Sequence, residues 1–474
     1  MRAMVQKRGF DSPVGPSPAA DPVAVRIAYE YVASATVWLL VGTLAGLIDA
    51  LKLNWPDVLA VPWLSFGRVR AIHTNVVFWG WSTIALSGLS LYVVSRTSRA
   101  PLWRPGLSRI ALWLWNGVTL GAVVTLAAGI TRGPQEYREL ALPLAAGLAA
   151  GVILNGLVIY RTLATRRVRE IYVSNWYILG AYCFVTVIVI VGYLGGRYAV
   201  GLPNVVIQGY YMHTAVGMWF TQIALGLSYY AIPRLLGRPV YSYALGVLAF
   251  WTNLLFYPLI GAHHFLYSPV PWWVQTVAIL FSAGMMVPVF AGGGNLLLTF
   301  RGTRDLVGRS YALPFLLAGI VAYVLVSMQG TLEAFRTANV YWHFTHFTVA
   351  HSHLSMYGFI AFVIWGTAYG LLPRLTGAEP NVLVVGVHFW LALVGYGIYV
   401  VSITIAGVLQ GFAWVAGKPF IDSVVAAEPF WLWRTVGGLL MVVSHVCFAW
   451  NVWLMRPGRA AARVDRANPS LAAA

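Results

Sequence analysis

Histidines are the residues of this sequence whose type and spacing most clearly predict chemistry. Ten occur, and most fall into clusters near the ends of long apolar segments: His73; His213; His263 and His264; and His343, His346, His351 and His353. Ionisable side chains at membrane depth are costly and usually functional, and neutral imidazole is the commonest biological metal ligand. The clusters therefore predict metal binding inside a membrane. His388 and His445 lie apart from them and are interpreted as packing or surface residues.

The spacing within the pairs predicts how many metals are held. Residues two apart on an α-helix point about 200° apart, so His351 and His353 cannot comfortably share one ion. They can instead bind two ions on opposite faces of one helix. His263 and His264 differ by about 100°, but at a frayed helix end both rings can turn toward one ion. With His213 they would make a three-imidazole site, which suits copper or zinc.

The remaining ligand, His73, can pair with His353 across a porphyrin, which leaves His351 as the single ligand of a second porphyrin. Six ligands then account for three metals: a six-coordinate haem, a five-coordinate haem and a copper ion that faces it. The histidines thus predict a haem–copper active site.

These histidines need a scaffold, and the composition predicts one made of membrane-spanning helices. Apolar residues make up 59% of the 474 residues and charged residues only 9%, whereas about 25% of residues are charged in soluble proteins. Most apolar residues lie in runs of about twenty, the length that crosses a bilayer as a helix. We expect an all-α fold, a polytopic membrane bundle of about twelve transmembrane helices. The predicted spans are 27–50, 70–96, 108–130, 141–163, 174–197, 206–233, 244–266, 272–300, 311–331, 346–373, 384–411 and 430–456.

One catalytic domain is expected over 27–456, between flexible cytoplasmic tails at 1–26 and 457–474. The first segment is rich in proline without apolar periodicity, and the last is rich in alanine and arginine. Neither a cleavable signal peptide nor a disulfide framework is expected.

The charge distribution predicts the orientation. The 31 basic residues outnumber the 14 acidic ones, and they concentrate in alternate loops, as the positive-inside rule predicts for the cytoplasmic side. Both termini are therefore expected in the cytoplasm, and the positive charge is interpreted as topology rather than as nucleic-acid binding. We call this the arginine-rich side; its loops include Arg96, Arg161, Arg238, Arg304 and Arg374.

Several motifs surround the histidines. They are RVRAIHTN at 68–75, YVSNWY at 172–177, HTAVGMWFT at 213–221, RPVYSY at 238–243, YPLIGAHHFLY at 257–267, FTVAHSHLSMYG at 347–358, RTVGGLL at 434–440 and NVWLM at 451–455. With these motifs the sequence resembles subunit I of the haem–copper oxidase superfamily, and specifically the cbb3-type (C-family) cytochrome c oxidases. The resemblance covers nearly the whole of 27–456.

The resemblance implies a role for each histidine of the predicted site. His73 and His353 match the axial ligands of the low-spin haem b, and His351 matches the ligand of the high-spin haem b3. The ligands of the copper ion CuB would be His213, His263 and His264.

Tyr257 stands six residues before His263, where this family places a tyrosine that is cross-linked to a copper-ligating histidine. Reducing dioxygen to water takes four electrons, and a phenol can supply one of them together with a proton. The resemblance therefore implies the catalytic subunit of a terminal respiratory oxidase, coupled to proton uptake and pumping.

A nitric oxide reductase, with non-haem iron in place of copper, is the alternative because it would share nearly every ligand. Such relatives typically carry a glutamate one turn after the first copper ligand and a second one further on, where this sequence has Gly217 and Gly284. These glycines favour an oxidase, although HFTHFTVAHSHLSMYG also has features of the reductases. A transporter without redox chemistry would explain the hydropathy but not the six ligands.

The sequence also departs from the family pattern. Tyr210 and Tyr211 replace a tryptophan pair before the first copper ligand. Gln329 replaces a glutamate of the active-site hydrogen-bond network that is associated with proton exit. Glu333, one turn later, is the candidate substitute.

Hydroxyl groups predict the route of proton uptake. Thr221, Tyr229 and Tyr243 match positions of the family's single, K-like proton channel, and Tyr230 and Ser242 add hydroxyls on the same side of the copper site. The early helices offer no acidic residue that would suggest a second channel.

Three charged residues match family positions at the outer face. Arg70 and Arg434 are expected to bind the haem propionates, because these anions need cations or donors. Glu136 matches a glutamate that helps to bind a calcium ion.

The expected partners follow from what the sequence lacks. It contains neither a CxxCH motif for covalent haem nor a CuA domain. Electrons are therefore expected from membrane-anchored c-type cytochrome subunits. These subunits would in turn receive electrons from soluble cytochrome c or a similar donor. The substrate would be dioxygen, and the location the bacterial inner membrane.

Overall fold

The computed structural model describes residues 21–133 and 135–458. Twelve of its helices are long and apolar enough to cross a membrane, which confirms the predicted number. They are α1 (Pro22–Asn54), α2 (Phe66–Ser98), α3 (Pro105–Ala127), α4 (Leu142–Ala164), α5 (Val173–Tyr198), α6 (Leu202–Leu236), α7 (Tyr243–Phe265), α8 (Trp272–Thr299), α9 (Leu313–Glu333), α10 (His346–Thr376), α11 (Val382–Val415) and α12 (Phe420–Leu454).

Two helix starts differ from the prediction by five residues or more. α1 begins at Pro22 rather than at 27, because Asp21 caps it by accepting a hydrogen bond from the backbone N–H of Val23 at 3.0 Å, and proline suits the first helical position. α12 begins at Phe420 rather than at 430, and Pro429 lies inside it. The rest of the predicted tails, 1–20 and 459–474, lies outside the described residues.

Three helices form the centre of the bundle. In the most apolar stretch of α2, α6 and α10, 94% of the residues are buried, against 33% to 50% in the other nine helices. Every fourth helix is therefore interior, and its neighbours present apolar side chains outward. These three helices carry His73, His213, His351 and His353.

Each central helix changes its winding directly after its histidines. π-Helical segments follow at Val76–Ser82 in α2, Val216–Thr221 in α6 and Leu354–Ala361 in α10. Such segments are rare and occur frequently at functional sites. The three histidine-bearing turns thus share one local geometry.

The fourth histidine-bearing helix, α7, loses its regular winding before its histidines. Its α-helical part ends at Phe256, where Pro258 follows, and 3₁₀ turns continue at Tyr257–Leu259 and Gly261–Phe265. Gly261 packs directly against the backbone of Gly209 on α6, where a Cβ atom would overlap the carbonyl group. This approach brings the end of α7 beside His213.

Candidate metal centres

Two large cavities lie on either side of the first turns of α10. One is lined by His351, and the other is lined by His353. We call them the His351 cavity and the His353 cavity. Ser352 and Met356 line both and form part of the wall between them. The two histidines of α10 therefore serve different cavities.

Three imidazoles converge in the His351 cavity. His213, His263 and His264 each offer a nitrogen, and these atoms all lie within 4.8 Å of one another. The Nδ1 atom of His213 is buried and has no hydrogen-bond partner, as expected of a nitrogen left for a metal. His263 Nδ1 lies 2.8 Å from the Ser282 hydroxyl oxygen, which in turn donates to the Ala278 carbonyl at 2.6 Å. This chain of bonds leaves His263 Nε2 free, so the donor set fits copper or zinc.

His73 and His353 face each other across the second cavity. Their ring centroids are 6.2 Å apart and the rings are nearly parallel, at 11°. His73 Nδ1 donates to the Gly42 carbonyl at 2.8 Å and His353 Nδ1 to the Val349 carbonyl at 2.9 Å. Metal-bound histidines usually donate the N–H of their other ring nitrogen in this way. This separation leaves room for one metal ion between the two imidazoles. The pair therefore fits one six-coordinate iron.

His351 is held by an amide. Its Nδ1 lies 3.1 Å from Gln329 Oε1, whereas the carboxylate of Glu333 lies 4.0 Å away. Gln329 Oε1 therefore accepts a hydrogen bond from the Nδ1–H of His351, which leaves Nε2 free for a metal. Gly330 allows this approach, because a Cβ atom there would lie 2.9 Å from the imidazole Cε1.

Tyr257 lies beside the three imidazoles. Its ring centroid is 5.0 Å from that of His213, and it lines the His351 cavity. The ring rests on the backbone of Gly217, where any Cβ atom would overlap it. Gly284 is also confined, since a Cβ atom there would lie 2.6 Å from Phe256 Cδ1. Carboxylates at these two positions are sterically incompatible with the packing of Tyr257 and Phe256.

Charged residues gather at the outer end of the His353 cavity. Arg70 donates to Glu136 Oε1 at 2.7 Å. Arg434 Nε and Asp49 Oδ1 are buried without a hydrogen-bond partner, and all four residues line the cavity. The unpartnered Nε–H of Arg434 at this end fits an anionic group. Glu136, by contrast, uses its carboxylate for the ion pair.

Glu139, on the same outer loop, provides a prediction about pH. Its carboxylate is 5% exposed and accepts a hydrogen bond from Asn75 at 2.9 Å. Burial raises the pKa of Glu139 to about 7, so the folded state holds a proton that the unfolded chain releases near pH 4.5. Stability should therefore fall by up to about 3 kcal/mol between pH 4.5 and 7.

The replacement of Glu139 by glutamine should flatten this dependence while keeping the bond to Asn75. Thermal unfolding in detergent, measured across this pH range with a chelator present, provides the check. An unchanged slope in the variant would assign the proton to another group.

The remaining histidines belong to neither the His73–His353 pair nor the three-imidazole cluster, although His343 is hydrogen-bonded to the backbone of His264. Trp431 donates to His346 Nε2 at 2.7 Å, which occupies that nitrogen. His343 precedes α10, and its buried Nε2 has no partner. His388 and His445 are wholly buried, so neither is a surface residue.

The three residues matched to the proton channel, Tyr229, Tyr243 and Thr221, have different surroundings. Tyr229 is buried, and its hydroxyl accepts a hydrogen bond from Asn295 at 3.3 Å. Its ring stacks on Tyr177, whose centroid is 5.5 Å away. Tyr243 donates to the Ile171 carbonyl at 3.4 Å nearer the surface, and Thr221 lines the His351 cavity.

Two other predicted hydroxyls have different surroundings. Tyr230 faces Tyr92 on α2, with centroids 6.4 Å apart, and Ser242 caps α7 by accepting from the Leu245 N–H at 3.3 Å. Sequence reasoning missed Tyr323, which lines the same cavity as Thr221 and Tyr257. A tyrosine within an apolar run gives no signal by itself.

Comparison with known proteins is consistent with this geometry. A family model described as "Cytochrome C and Quinol oxidase polypeptide I" matches residues 26–440. The chain is 31% identical to the cbb3-type cytochrome c oxidase subunit CcoN1 of Stutzerimonas stutzeri, over 90% of this chain and 94% of that relative. It is also 31% identical to a cytochrome c oxidase subunit 1 homolog of Agrobacterium tumefaciens, over 92% and 85% of the two chains.

Two further comparisons bear on fold and on the alternative function. A nitric oxide reductase chain of Stutzerimonas stutzeri is 23% identical, over 90% of this chain and 94% of the relative. A solved heme-copper terminal oxidase dimer superimposes with a TM-score of 0.76 at 16% identity, covering 91% of this chain and 84% of that one. The latter supports the fold alone.

Proposed function

We propose residue roles for a chain that belongs to the cytochrome c and quinol oxidase polypeptide I family and is the catalytic subunit of a haem–copper terminal oxidase. Membership of this family implies haem and copper as cofactors, and the twelve apolar helices make the chain a multi-pass inner-membrane protein. We assign a low-spin haem b to His73 and His353, a high-spin haem b3 to His351, and CuB to His213, His263 and His264.

One observation carries this assignment: His351, the three-imidazole cluster and Tyr257 line the same cavity. When bound, the two metals supply electrons to dioxygen. The chain's own part is to hold them opposite each other and to keep the phenol of Tyr257 beside His213, where it can give an electron and a proton. Gln329 fixes the orientation of His351 through the 3.1 Å contact.

The alternative, a nitric oxide reductase, has less support. Its characteristic carboxylates would stand at Gly217 and Gly284, where side chains collide with Tyr257 and Phe256. The reductase relative is also the more distant one, at 23% identity.

Metal analysis of the purified complex tests the assignment directly. We expect one copper and two haems per chain, because three imidazoles bind copper well without a carboxylate. Extra iron without copper would favour the reductase, and the absence of both metals would overturn both assignments.

We assign proton uptake to the hydroxyl groups that run from Tyr243 through Tyr229 to Thr221 and Tyr257. Tyr323 adds a hydroxyl at the cavity end, and Asn295 holds the Tyr229 hydroxyl. The route begins on the arginine-rich side, which we assign to the cytoplasm together with both termini.

The replacement of Tyr229 by phenylalanine should slow oxygen reduction about tenfold or more, because one hydroxyl of the route is lost while the packing volume is kept. Tyr230→Phe is the matched control, since Tyr230 is as buried as Tyr229 but faces Tyr92 on α2 instead. Turnover of both variants with an artificial electron donor, measured from pH 6 to pH 9, provides the check. Equal effects of the two substitutions would contradict the route.

At the outer face, we assign Arg70 and Arg434 to the haem propionates. The calcium ion implied for Glu136 would have to compete with Arg70 for the carboxylate, and calcium analysis of the purified complex tests it. The electron donors would be c-type cytochrome subunits anchored in the membrane, in line with the cbb3-type relative.

A further inference from the structure

Two buried amide side chains meet between α6 and α7, on the arginine-rich side of Tyr257. Gln222 on α6 and Asn253 on α7 are 0% and 1% exposed. Both direct their amide nitrogens at one atom, the sulfur of Met218, with Gln222 Nε2 at 3.9 Å and Asn253 Nδ2 at 3.7 Å. The two side chains therefore converge on one point between the helices. We call Gln222 and Asn253 the amide pair.

The oxygen atoms of the amide pair have no hydrogen-bond partner in the part of the chain that the structure describes. Gln222 Oε1 and Asn253 Oδ1 are both buried and unpaired. Turning the amides over would not help, because the sulfur of methionine is only an acceptor and the amide N–H groups would then be unpaired. Buried polar atoms that the protein leaves unpaired are typical positions for bound water.

Helical register places the amide pair between Tyr229 and Tyr257. Tyr229 follows Gln222 by seven residues in the α-helical part of α6, which is about 700° of rotation, so both lie on one face about 10 Å apart along the axis. On α7, Asn253 likewise follows Gly246 by seven residues, and a Cβ atom at Gly246 would lie 3.4 Å from the Tyr229 hydroxyl. The same two helix faces thus carry Tyr229 with Gly246 at one level and the amide pair at the next.

The outer end of this row reaches the His351 cavity. Tyr257 follows Asn253 by one turn, since its backbone N–H donates to the Asn253 carbonyl. Thr221, the chain neighbour of Gln222, lines the same cavity as Tyr257. Polar groups therefore occur at three successive levels, which are Tyr229, the amide pair, and Thr221 with Tyr257.

Small residues leave room for water beside the Tyr229 hydroxyl. A Cβ atom would lie 3.4 Å from this oxygen at Gly246 and 3.8 Å from it at Gly292, so neither α7 nor α8 presents a side chain to it at these positions. The hydroxyl accepts a hydrogen bond from Asn295 at 3.3 Å, and a hydroxyl that accepts can also donate its own proton.

We propose that the amide pair holds a short chain of water molecules that carries protons from Tyr229 to Tyr257. The proposal rests on the proton route assigned above and names the residues of its central section. Each water accepts a proton from the arginine-rich side and gives one onward, so one proton enters at the Tyr229 hydroxyl for each proton that reaches Tyr257. The amides keep their own protons and only accept hydrogen bonds from the water, so they are positioning residues and no side chain between the two tyrosines has to become charged.

Replacement of Asn253 by leucine tests the proposal, because leucine has a similar volume but no oxygen. Oxygen reduction should slow about tenfold or more, with a larger solvent deuterium isotope effect and a steeper fall of the rate from pH 6 to pH 9. The optical spectra of the haems and the copper content should stay unchanged. Gln222→Leu should act in the same way, and N253S, which restores an acceptor and leaves room for water, should recover most of the rate.

Asn155→Leu is the matched control. It removes an equally buried amide that is hydrogen-bonded to Tyr31, away from α6 and α7. This variant should keep the wild-type rate, isotope effect and pH profile. A loss of packing alone would affect N253S at least as much as N253L, whereas the loss of a water position affects N253L more.

The variants also separate this proposal from the proton route on which it rests. Wild-type turnover and isotope effects in both N253L and Q222L would overturn the role of the amide pair. If Tyr229→Phe is slow in that case, the route itself stands and its protons reach the cavity through Tyr323. If Tyr229→Phe is unaffected as well, the route assigned above is wrong.

An experimental map of the purified wild-type complex provides a second readout that does not depend on any variant. Ordered water is expected within about 3.2 Å of both amide oxygens. A map that shows ordered water beside the Tyr229 hydroxyl but none at Gln222 Oε1 or Asn253 Oδ1 would contradict the proposal, even if N253L and Q222L fail to assemble.

Discussion

Oxygen reduction should fall by orders of magnitude when Tyr257 is replaced by phenylalanine, while haem and copper contents stay near normal. The substitution keeps the ring on Gly217 and its packing against His213 and removes only the hydroxyl. If the phenol supplies an electron and a proton in the chemical step, its loss lowers the turnover rate rather than assembly. Residual nitric oxide reduction, which needs no phenolic electron, should suffer much less.

Turnover with oxygen and with nitric oxide, together with metal analysis, provides the measurement. Tyr182→Phe is a suitable control, since this buried hydroxyl bonds to Ser87 at 2.9 Å away from the metal ligands. Full assembly with the wild-type rate of oxygen consumption in Y257F would make Tyr257 a packing residue and remove the main support for the oxidase assignment.

Replacement of His353 by alanine should remove the low-spin haem and leave the high-spin haem and copper largely assembled. His353 lines one cavity and His351 the other, so the loss of one imidazole does not empty both sites. Because His73 would remain as the single histidine ligand, coordination by two histidines is impossible in the variant.

Optical spectra of the reduced protein distinguish the two haems, and His351→Ala is the matched variant with the opposite expectation. Loss of the high-spin signal alone in the His353 variant would reverse the assignment of the two histidines.

The arrangement of the histidines could be predicted from the sequence, because helical geometry relates spacing to direction. His351 and His353 are two residues apart, which places them on different faces. His263 and His264 were expected to turn toward one ion at a frayed helix end, and the 3₁₀ turns that begin at Tyr257 are the departure from the helix that the structure shows. The number of spans could also be predicted, because the length and apolarity of a segment are local properties of the sequence.

Other features depend on contacts that are distant in the sequence. The contact between Gln329 and His351 joins two helices, and the proline-free π-helical segments have no clear sequence signature. His388 and His445 looked isolated because their partners Tyr369 and Thr43 lie on different spans or far along the chain. The interior position of every fourth helix likewise results from packing of the whole bundle.

The contact between Gly217 and Tyr257 also constrains how such a protein can change during evolution. A side chain at position 217 collides with the aromatic ring, so a carboxylate cannot be added there while the tyrosine, or even a phenylalanine, is present. The two positions are therefore epistatic: the effect of one substitution depends on which residue occupies the other. A stepwise conversion to a carboxylate-bearing site must first lose the ring, and with it the phenol, which places a poorly functional intermediate between two competent sequences.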